Sequence, residues 1–223
     1  MSRYEWTLYL VTDRSLAGAT PLPDLVASAV RGGVTAVQLR EKECSTREFV
    51  ELARALKTLL APLGVPLIVN DRVDVALAAG ADGVHVGQSD MDCRDVRRLI
   101  GPSAVVGLSV ETLDQALAAP LEADYLGVGP IFATPTKIDA APAWGLAGLS
   151  ALRGVSHRPL VAIGGIHGDN AGSVIGCGVE GIAVVSAICA APDPELAART
   201  LRREIARGRR GDTMPRTSGK TLL

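Results

Sequence analysis

Eight short runs rich in β-branched residues alternate with eight helical patterns, and this alternation limits the folds open to the chain more than any other feature. The extended runs fall at 7–11, 34–39, 66–69, 83–86, 105–108, 125–128, 160–163 and 181–185. The helical patterns fall at 22–31, 45–60, 72–79, 93–100, 112–119, 145–153, 169–177 and 195–207. Several carry start signals, such as Ser45 with Glu48 three residues later, a capping-box pattern. Strands separated by helices pair in parallel, because a parallel pair needs a long crossover. Eight such units in 223 residues fit a single α/β domain, a closed (β/α)8 barrel of the TIM type. An open doubly wound sheet would carry a Gly-rich turn after its first strand. Here that strand runs into Val11-Thr12-Asp13-Arg14.

The core this predicts is built from small branched side chains, since hydrophobic residues make up 48% of the chain and aromatics only 3%. The barrel is expected over residues 1–207. The remainder, 208–223, is rich in Gly, Arg, Thr and Ser without apolar period, and reads as a disordered tail made basic by Arg209, Arg210, Arg216 and Lys220. A net charge of −1 supports neither a nucleic-acid nor a membrane-surface partner. No stretch approaches the ~18 apolar residues of a membrane span, and the first residues lack a basic region followed by an apolar one. A cytoplasmic protein is expected, and a homo-oligomer is compatible with the sequence. Cys44, Cys93, Cys177 and Cys189 are scattered without a CxxC pair and read as free thiols.

In a (β/α)8 barrel the strands' C-terminal ends and the loops after them build the active site, and polar residues collect there after nearly every strand. The second run ends Gln38-Leu39-Arg40-Glu41-Lys42. Successive strand side chains point to opposite faces, so Gln38 and Arg40 share one face and Val37 and Leu39 the other. The third run leads into Asn70-Asp71, and the fourth into Gly87-Gln88-Ser89-Asp90. Two carboxylates on adjacent strands, near Arg40 and Lys42, suit Mg²⁺ bridging protein and phosphate. Each could instead cap the helix that follows it. Ser109 reaches the same rim, though alone it reads as a helix cap.

The loop after the sixth strand is the longest and carries Thr134-Pro135-Thr136-Lys137, two hydroxyls and a cation able to grip phosphate oxygens or close as a lid. The seventh strand ends Gly164-Gly165 and the eighth Val185-Ser186. Amides freed there form the recurrent phosphate position of barrel enzymes, although a glycine pair also suits a tight turn. The residues therefore predict two separate anion zones. One combines Arg40, Lys42, Lys137, Asp71 and Asp90 and suits a diphosphate with Mg²⁺; the other combines Gly165 and Ser186 and suits a monophosphate. Among the histidines, His85 reads as a satisfied interior ring, His157 as surface, and His167 has no assigned role. No Ser-His-Asp set or mid-strand lysine points to acyl transfer or Schiff-base chemistry.

Eight motifs in register, spanning roughly residues 7 to 190, resemble the thiamine phosphate synthase family. They include Tyr9-Leu-Val-Thr-Asp13, Gly33 through Lys42, Asn70-Asp-Arg-Val-Asp74, Gly83 through Gln88 with Asp90, and Gly107-Leu-Ser109. Gly127 through Phe132 with Thr134-Pro-Thr-Lys137, Ala162 through Ile166, and Val184-Val-Ser186 complete the set. The resemblance implies a Mg²⁺-dependent transferase that joins a hydroxymethylpyrimidine diphosphate to a thiazole phosphate, releasing pyrophosphate. It implies that Gln38, Arg40, Lys42, Asn70, Ser109 and Lys137 hold the diphosphate substrate, with Arg40, Lys42, Ser109 and Lys137 catalytic. It implies Asp71 and Asp90 as Mg²⁺ ligands, and Thr134, Thr136, Gly165, Val185 and Ser186 around the thiazole phosphate. Leu39, Glu41 and Pro135, within the same motifs, are expected to line the substrates. A thiazole tautomerase would need neither the diphosphate grip nor the acidic pair. A non-catalytic ligand-binding barrel would be expected to have lost a member of the cluster.

Overall fold

The computed structural model describes residues 4–133 and 142–211. Eight parallel strands close into a barrel in chain order, β1 Leu8–Val11, β2 Ala36–Leu39, β3 Leu67–Asn70, β4 Gly83–Val86, β5 Val105–Val110, β6 Tyr125–Val128, β7 Leu160–Ile163 and β8 Gly181–Val184. The helices α1 Leu22–Arg31, α2 Thr46–Leu60, α3 Val73–Ala79, α4 Cys93–Ile100, α5 Leu113–Ala118, α6 Gly145–Val155, α7 Ala171–Gly176, α8 Ser186–Cys189 and α9 Pro194–Arg209 form the outer ring. Strand β1 closes the barrel by pairing with both β2 and β8. The expected strand and helix order holds. A short 3₁₀ turn at Arg14–Leu16, another at Ala61–Leu63, and the one-turn helix α8 were not anticipated.

The pleat divides each strand between two cores. Val37, Leu39, Val69, Val84 and Leu126 face outward into the layer beneath the helices. Tyr9, Ala36, Ile68, Tyr125, Val161 and Ala183 face inward. Inside the barrel, bulky residues sit beside small ones in the strand register: Tyr9 beside Ala36 and Ala183, Ile68 beside Gly83, Val161 beside Gly181. This alternation lets the side-chain layers interdigitate. The tightest case is Gly107, flanked in register by His85 and Tyr125, where any Cβ would collide with both rings. The scarce aromatics gather here: Trp6 stacks on Tyr125 at 4.4 Å between centroids, and Tyr9 meets Tyr125 edge-on at 6.0 Å.

The bottom of the barrel is stapled by three acids, each one residue before an even-numbered strand. Asp82 accepts from the Leu67 amide at 2.9 Å and from Lys57 at 2.7 Å. Asp124 accepts from the Val106 amide at 2.8 Å and from Arg97 at 2.7 Å. Glu180 accepts from the Leu160 amide at 2.6 Å and from Arg153 at 3.2 Å. Each acid ties the start of the preceding strand to the outer ring.

The last helix, expected to end at residue 207, runs two residues further. Helix α9 continues through Arg209, because Gly208 is buried against Gly172 of α7 and Arg209 donates to Thr7 Oγ1 at 2.7 Å and to the Glu180 carbonyl at 3.1 Å. The rest of the expected tail, from residue 212, lies outside the described residues. Among the described residues no helix is long and apolar enough to cross a membrane.

Candidate active site

The C-terminal ends of the strands open into a cavity of about 1070 Å³. It is lined by Gln38, Arg40, Lys42, Asn70, Asp71 and Asp90 on one side, by Ser109 at the far end of β5, and by Gly165, Val185 and Ser186 on the other. The two expected anion zones are thus two walls of one chamber. Thr134, Pro135, Thr136 and Lys137 lie outside the described residues.

Strand β2 delivers its polar end as the pleat dictates. Gln38 is buried and faces inward, and the Arg40 amide donates to Thr12 Oγ1 at 3.1 Å, fixing where the strand stops. The guanidinium of Arg40 makes no hydrogen bond or ion pair among the described residues. Two members of the motif turn away from the chamber. Leu39 is fully buried in the outer layer, and Glu41, also buried, accepts from Arg14 at 2.7 Å. Neither side chain lines the chamber, so any part these two residues take in binding would fall to their backbone. The pleat sends Leu39 outward, and the Arg14 ion pair draws Glu41 beneath the rim. Arg14 also pairs with Glu48 at 2.6 Å, so one cation braces the loop after β2 to the first turn of α2. Glu48 thereby supplies only half of its capping box: the Ser45 side chain accepts from the Glu48 amide, while the Glu48 carboxylate goes to Arg14.

The acidic pair does not cap helices. Asp71 sits at φ 60, the left-handed region that Asp tolerates better than most residues. Its amide bonds the His85 carbonyl at 2.8 Å, and the chain turns so tightly that the Arg72 amide reaches back to the Asn70 carbonyl at 2.7 Å. This turn aims the Asp71 carboxylate across the rim, where Lys42 Nζ meets it at 3.0 Å. Burial pushes the Asp71 carboxyl up, Lys42 opposes that, and the neighbouring Asp90 adds to the rise. Asp90 is held by the Gly87 amide at 2.7 Å, while Asp92 caps α4. Likewise Thr112, not Ser109, caps α5. All three rim residues are released from the structural roles that the sequence left open for them.

Two facing carboxylates are a hard-oxygen donor set, and Lys42 offsets part of their charge. Among the described residues no cluster of three His, Cys, Asp or Glu is placed to hold a metal. The pair's oxygens are the kind of donor that an ion such as Mg²⁺ takes alongside water and phosphate.

The opposite wall is made of backbone. Gly164 and Gly165 adopt φ 104 and 64. A Cβ on Gly165 would lie 2.8 Å from that of Phe132, so this glycine lets the loop after β6 pass close by. The Ile131 amide bonds the Ile163 carbonyl at 2.9 Å and the Phe132 amide the Gly164 carbonyl at 3.0 Å. Asn170 clamps the turn, donating to the Gly165 carbonyl at 2.9 Å and accepting from the His167 amide at 2.8 Å. Helix α8 begins at Ser186, so its first amides have no partner within the helix.

Two chamber residues carried no assigned role in the sequence, Tyr9 and Tyr125, and both join the line of His85, which is the satisfied interior ring the sequence suggested. His85 Nε2 lies 2.8 Å from Ser109 Oγ, and its Nδ1 lies 2.8 Å from Tyr125 Oη. Burial lowers the His85 pKa to about 4, with Asp90 pulling the other way, so the ring is neutral near pH 7. Only the inward parity of these strands hinted at such a group. Cys44 is half-buried and its thiol is pushed up by burial, then by Glu41 and Glu48, which leaves it no thiolate character.

A family model described as thiamine monophosphate synthase matches residues 8–188. The chain is 60% identical to the thiamine-phosphate synthase of Albidiferax ferrireducens, over 89% of this chain and 91% of that one. It is 53% identical to the thiamine-phosphate synthase of Vibrio parahaemolyticus, covering 88% and 96% respectively. A solved structure of thiamine phosphate pyrophosphorylase from Pyrococcus furiosus superposes with a TM-score of 0.84 at 41% identity, over 92% of this chain and 98% of that one. At 21% identity, 3-hexulose-6-phosphate synthase superposes with a TM-score of 0.66 and shares the barrel alone.

Proposed function

The chain is an enzyme of the thiamine monophosphate synthase family, and from that premise we propose that it joins a hydroxymethylpyrimidine diphosphate to a thiazole phosphate with Mg²⁺. The observation that carries the reading is the pairing of opposite walls in one chamber. Arg40, Lys42, Asp71 and Asp90 face a backbone-built pocket at Gly165 and Ser186. A charged wall suits a leaving diphosphate, and an amide wall suits a retained monophosphate.

The reaction breaks the bond between the pyrimidine's methylene carbon and the diphosphate oxygen, and the thiazole nitrogen supplies the electron pair for the new C–N bond. The amino group of the pyrimidine feeds electrons to the carbon as the diphosphate departs. Little covalent work then falls to the protein. Arg40, with no partner of its own among the described residues, neutralises charge growing on the leaving group. Lys42 adds a second positive charge and steers Asp71. Asp71 and Asp90 would hold Mg²⁺, which supplies Lewis-acid charge neutralisation at the diphosphate when bound. Gly165 and Ser186 would set the thiazole phosphate so that its nitrogen is in line. The apolar inner layer beneath, with Val161 and Ile163, keeps water from the floor of the chamber.

The experiment mixes purified protein, both substrates and Mg²⁺, and follows thiamine phosphate and pyrophosphate by chromatography. Equal amounts of both products, abolished by a chelator, are expected. Absence of thiamine phosphate overturns the reading.

A further inference from the structure

Beneath the rim, five side chains from five strands form one hydrogen-bonded line across the barrel. Gln38 Nε2 donates to Tyr9 Oη at 3.1 Å. Tyr9 Oη and Tyr125 Oη are 3.0 Å apart. Tyr125 Oη meets His85 Nδ1 at 2.8 Å, and His85 Nε2 meets Ser109 Oγ at 2.8 Å. Gln38, Tyr9, His85 and Tyr125 are all buried. A buried polar chain of this kind is ordered by the number of protons each member owns.

That count runs in one direction. An amide nitrogen only donates, so Tyr9 Oη is an acceptor from Gln38. Tyr9 owns one proton, and its other neighbour in the line is Tyr125, so the proton points there. Tyr125 has then accepted and directs its own proton to His85 Nδ1. A neutral imidazole carries a single N–H, which Nδ1, as acceptor, leaves on Nε2. That N–H is donated to Ser109 Oγ, and the serine proton is left for the chamber. The Ser109 carbonyl is meanwhile taken by Gln88 Nε2 at 2.6 Å, so the backbone beneath the hydroxyl is held separately.

We propose that Tyr9 and Tyr125 are positioning residues: they fix His85 as its Nε2–H tautomer, so that Ser109 presents its hydroxyl as a hydrogen-bond donor to the substrate. Burial supports this, since it raises both phenols above their ordinary range, so each keeps the single proton that the line requires. The catalytic use of that donor rests on the synthase reading above; the direction of the line does not. A donor at Ser109 meets a substrate acceptor, a ring nitrogen or a phosphate oxygen, at no reorganisation cost because its orientation is set before binding.

The test uses the full-length protein labelled with ¹⁵N-histidine and long-range ¹H–¹⁵N correlation spectra at pH 7.5. The three histidines are assigned through His157→Gln and His167→Gln. His85 is expected as the Nε2–H tautomer alone, and in Tyr125→Phe as a mixture of tautomers. Tyr125→Phe should also lower kcat about tenfold, the worth of one good hydrogen bond, with KM for both substrates within about twofold of wild type. Tyr9→Phe, one link further from Ser109, should show the same changes in smaller measure and serves if Tyr125→Phe does not fold. A wild-type His85 carrying its proton on Nδ1 overturns the proposal, as does a Tyr125→Phe that keeps the pure tautomer and full kcat. The tautomer is read without substrates. A wild type that makes no thiamine phosphate would therefore count against the reaction and not against the line.

Discussion

The two ends of the barrel use the same residue types to opposite effect. At the bottom, Asp82, Asp124 and Glu180 each take one strand amide and one cation, and Arg97 also donates to the Gly101, Ala104 and Glu122 carbonyls. At the top, the Arg40 guanidinium has no partner among the described residues, and Asp71 and Asp90 face each other across the rim with one lysine at 3.0 Å from Asp71. A charge whose hydrogen-bonding capacity is filled by its own chain is scaffold. A charge left with spare capacity at a strand's C-terminal end is aimed at a ligand. Substitutions at the two ends should therefore separate stability from turnover.

The largest effect belongs to the top. Asp71→Asn keeps a residue that tolerates φ 60 while removing the charge. Thiamine phosphate formation should fall about 10²–10³-fold, the scale of losing one preorganised electrostatic contact. The Mg²⁺ concentration for half-maximal rate should rise, and the melting temperature should stay within a degree or two. Unchanged Mg²⁺ dependence in a steady-state titration would remove Asp71 from the metal site.

Between the ends lies His85, neutral among Tyr9, Tyr125 and Ser109, with Asp90 as the charge that acts on it. An unfolded histidine binds its proton near pH 6.5, but the folded ring resists until about pH 4. Within that window the unfolded state holds more protons, so His85 lowers stability as the pH falls and adds no further slope below pH 4. Urea unfolding should show about 3 kcal/mol more loss between pH 7 and pH 4 in wild type than in His85→Asn. Parallel curves for the two proteins would place the ring in a wetter setting than its burial implies.

A smaller effect is expected from the bottom. Asp124→Ala leaves the buried Val106 amide without its acceptor and Arg97 with only carbonyls. The cost should be about 2 kcal/mol, or roughly 4–8 °C in melting temperature for a chain of this size. Neither kcat nor KM should move by more than about twofold. A marked fall in kcat at fixed stability would break the division between the ends.

The barrel was legible because each strand is short, β-branched and followed by a helical period, so local pattern and topology agree. Polar residues at the strand ends were legible for the same reason: the pleat assigns Gln38 and Arg40 to one face from the sequence alone. The ion pair that holds the Glu41 side chain was not legible, because its partner Arg14 lies 27 residues away in a 3₁₀ turn that no local signal announces. The line through Tyr9 and Tyr125 joins residues 116 apart, and only barrel closure makes them neighbours. Asp71 taken alone read evenly as cap or ligand, and the left-handed turn at φ 60, with Arg72 at the start of α3, removes the cap reading. Side-chain parity can be read along a strand, whereas contacts across the barrel depend on register around the whole circle.

Gly165 gives the smallest and most selective expected effect, because it tests the amide wall at the top against the charged one. Its φ of 64 and the 2.8 Å approach to Phe132 leave no room for a side chain without displacing the loop after β6. Gly165→Ala should cost about 1–2 kcal/mol through backbone strain. If the wall holds the monophosphate, KM for the thiazole phosphate should rise about tenfold while KM for the pyrimidine diphosphate stays within about twofold. The charged wall touches neither Gly165 nor Phe132, so equal losses for both substrates would mean that the two walls move as one unit. Salt separates the same two possibilities: raising ionic strength should weaken diphosphate binding more than monophosphate binding, because partly exposed side-chain charges are screened more than fixed amides are.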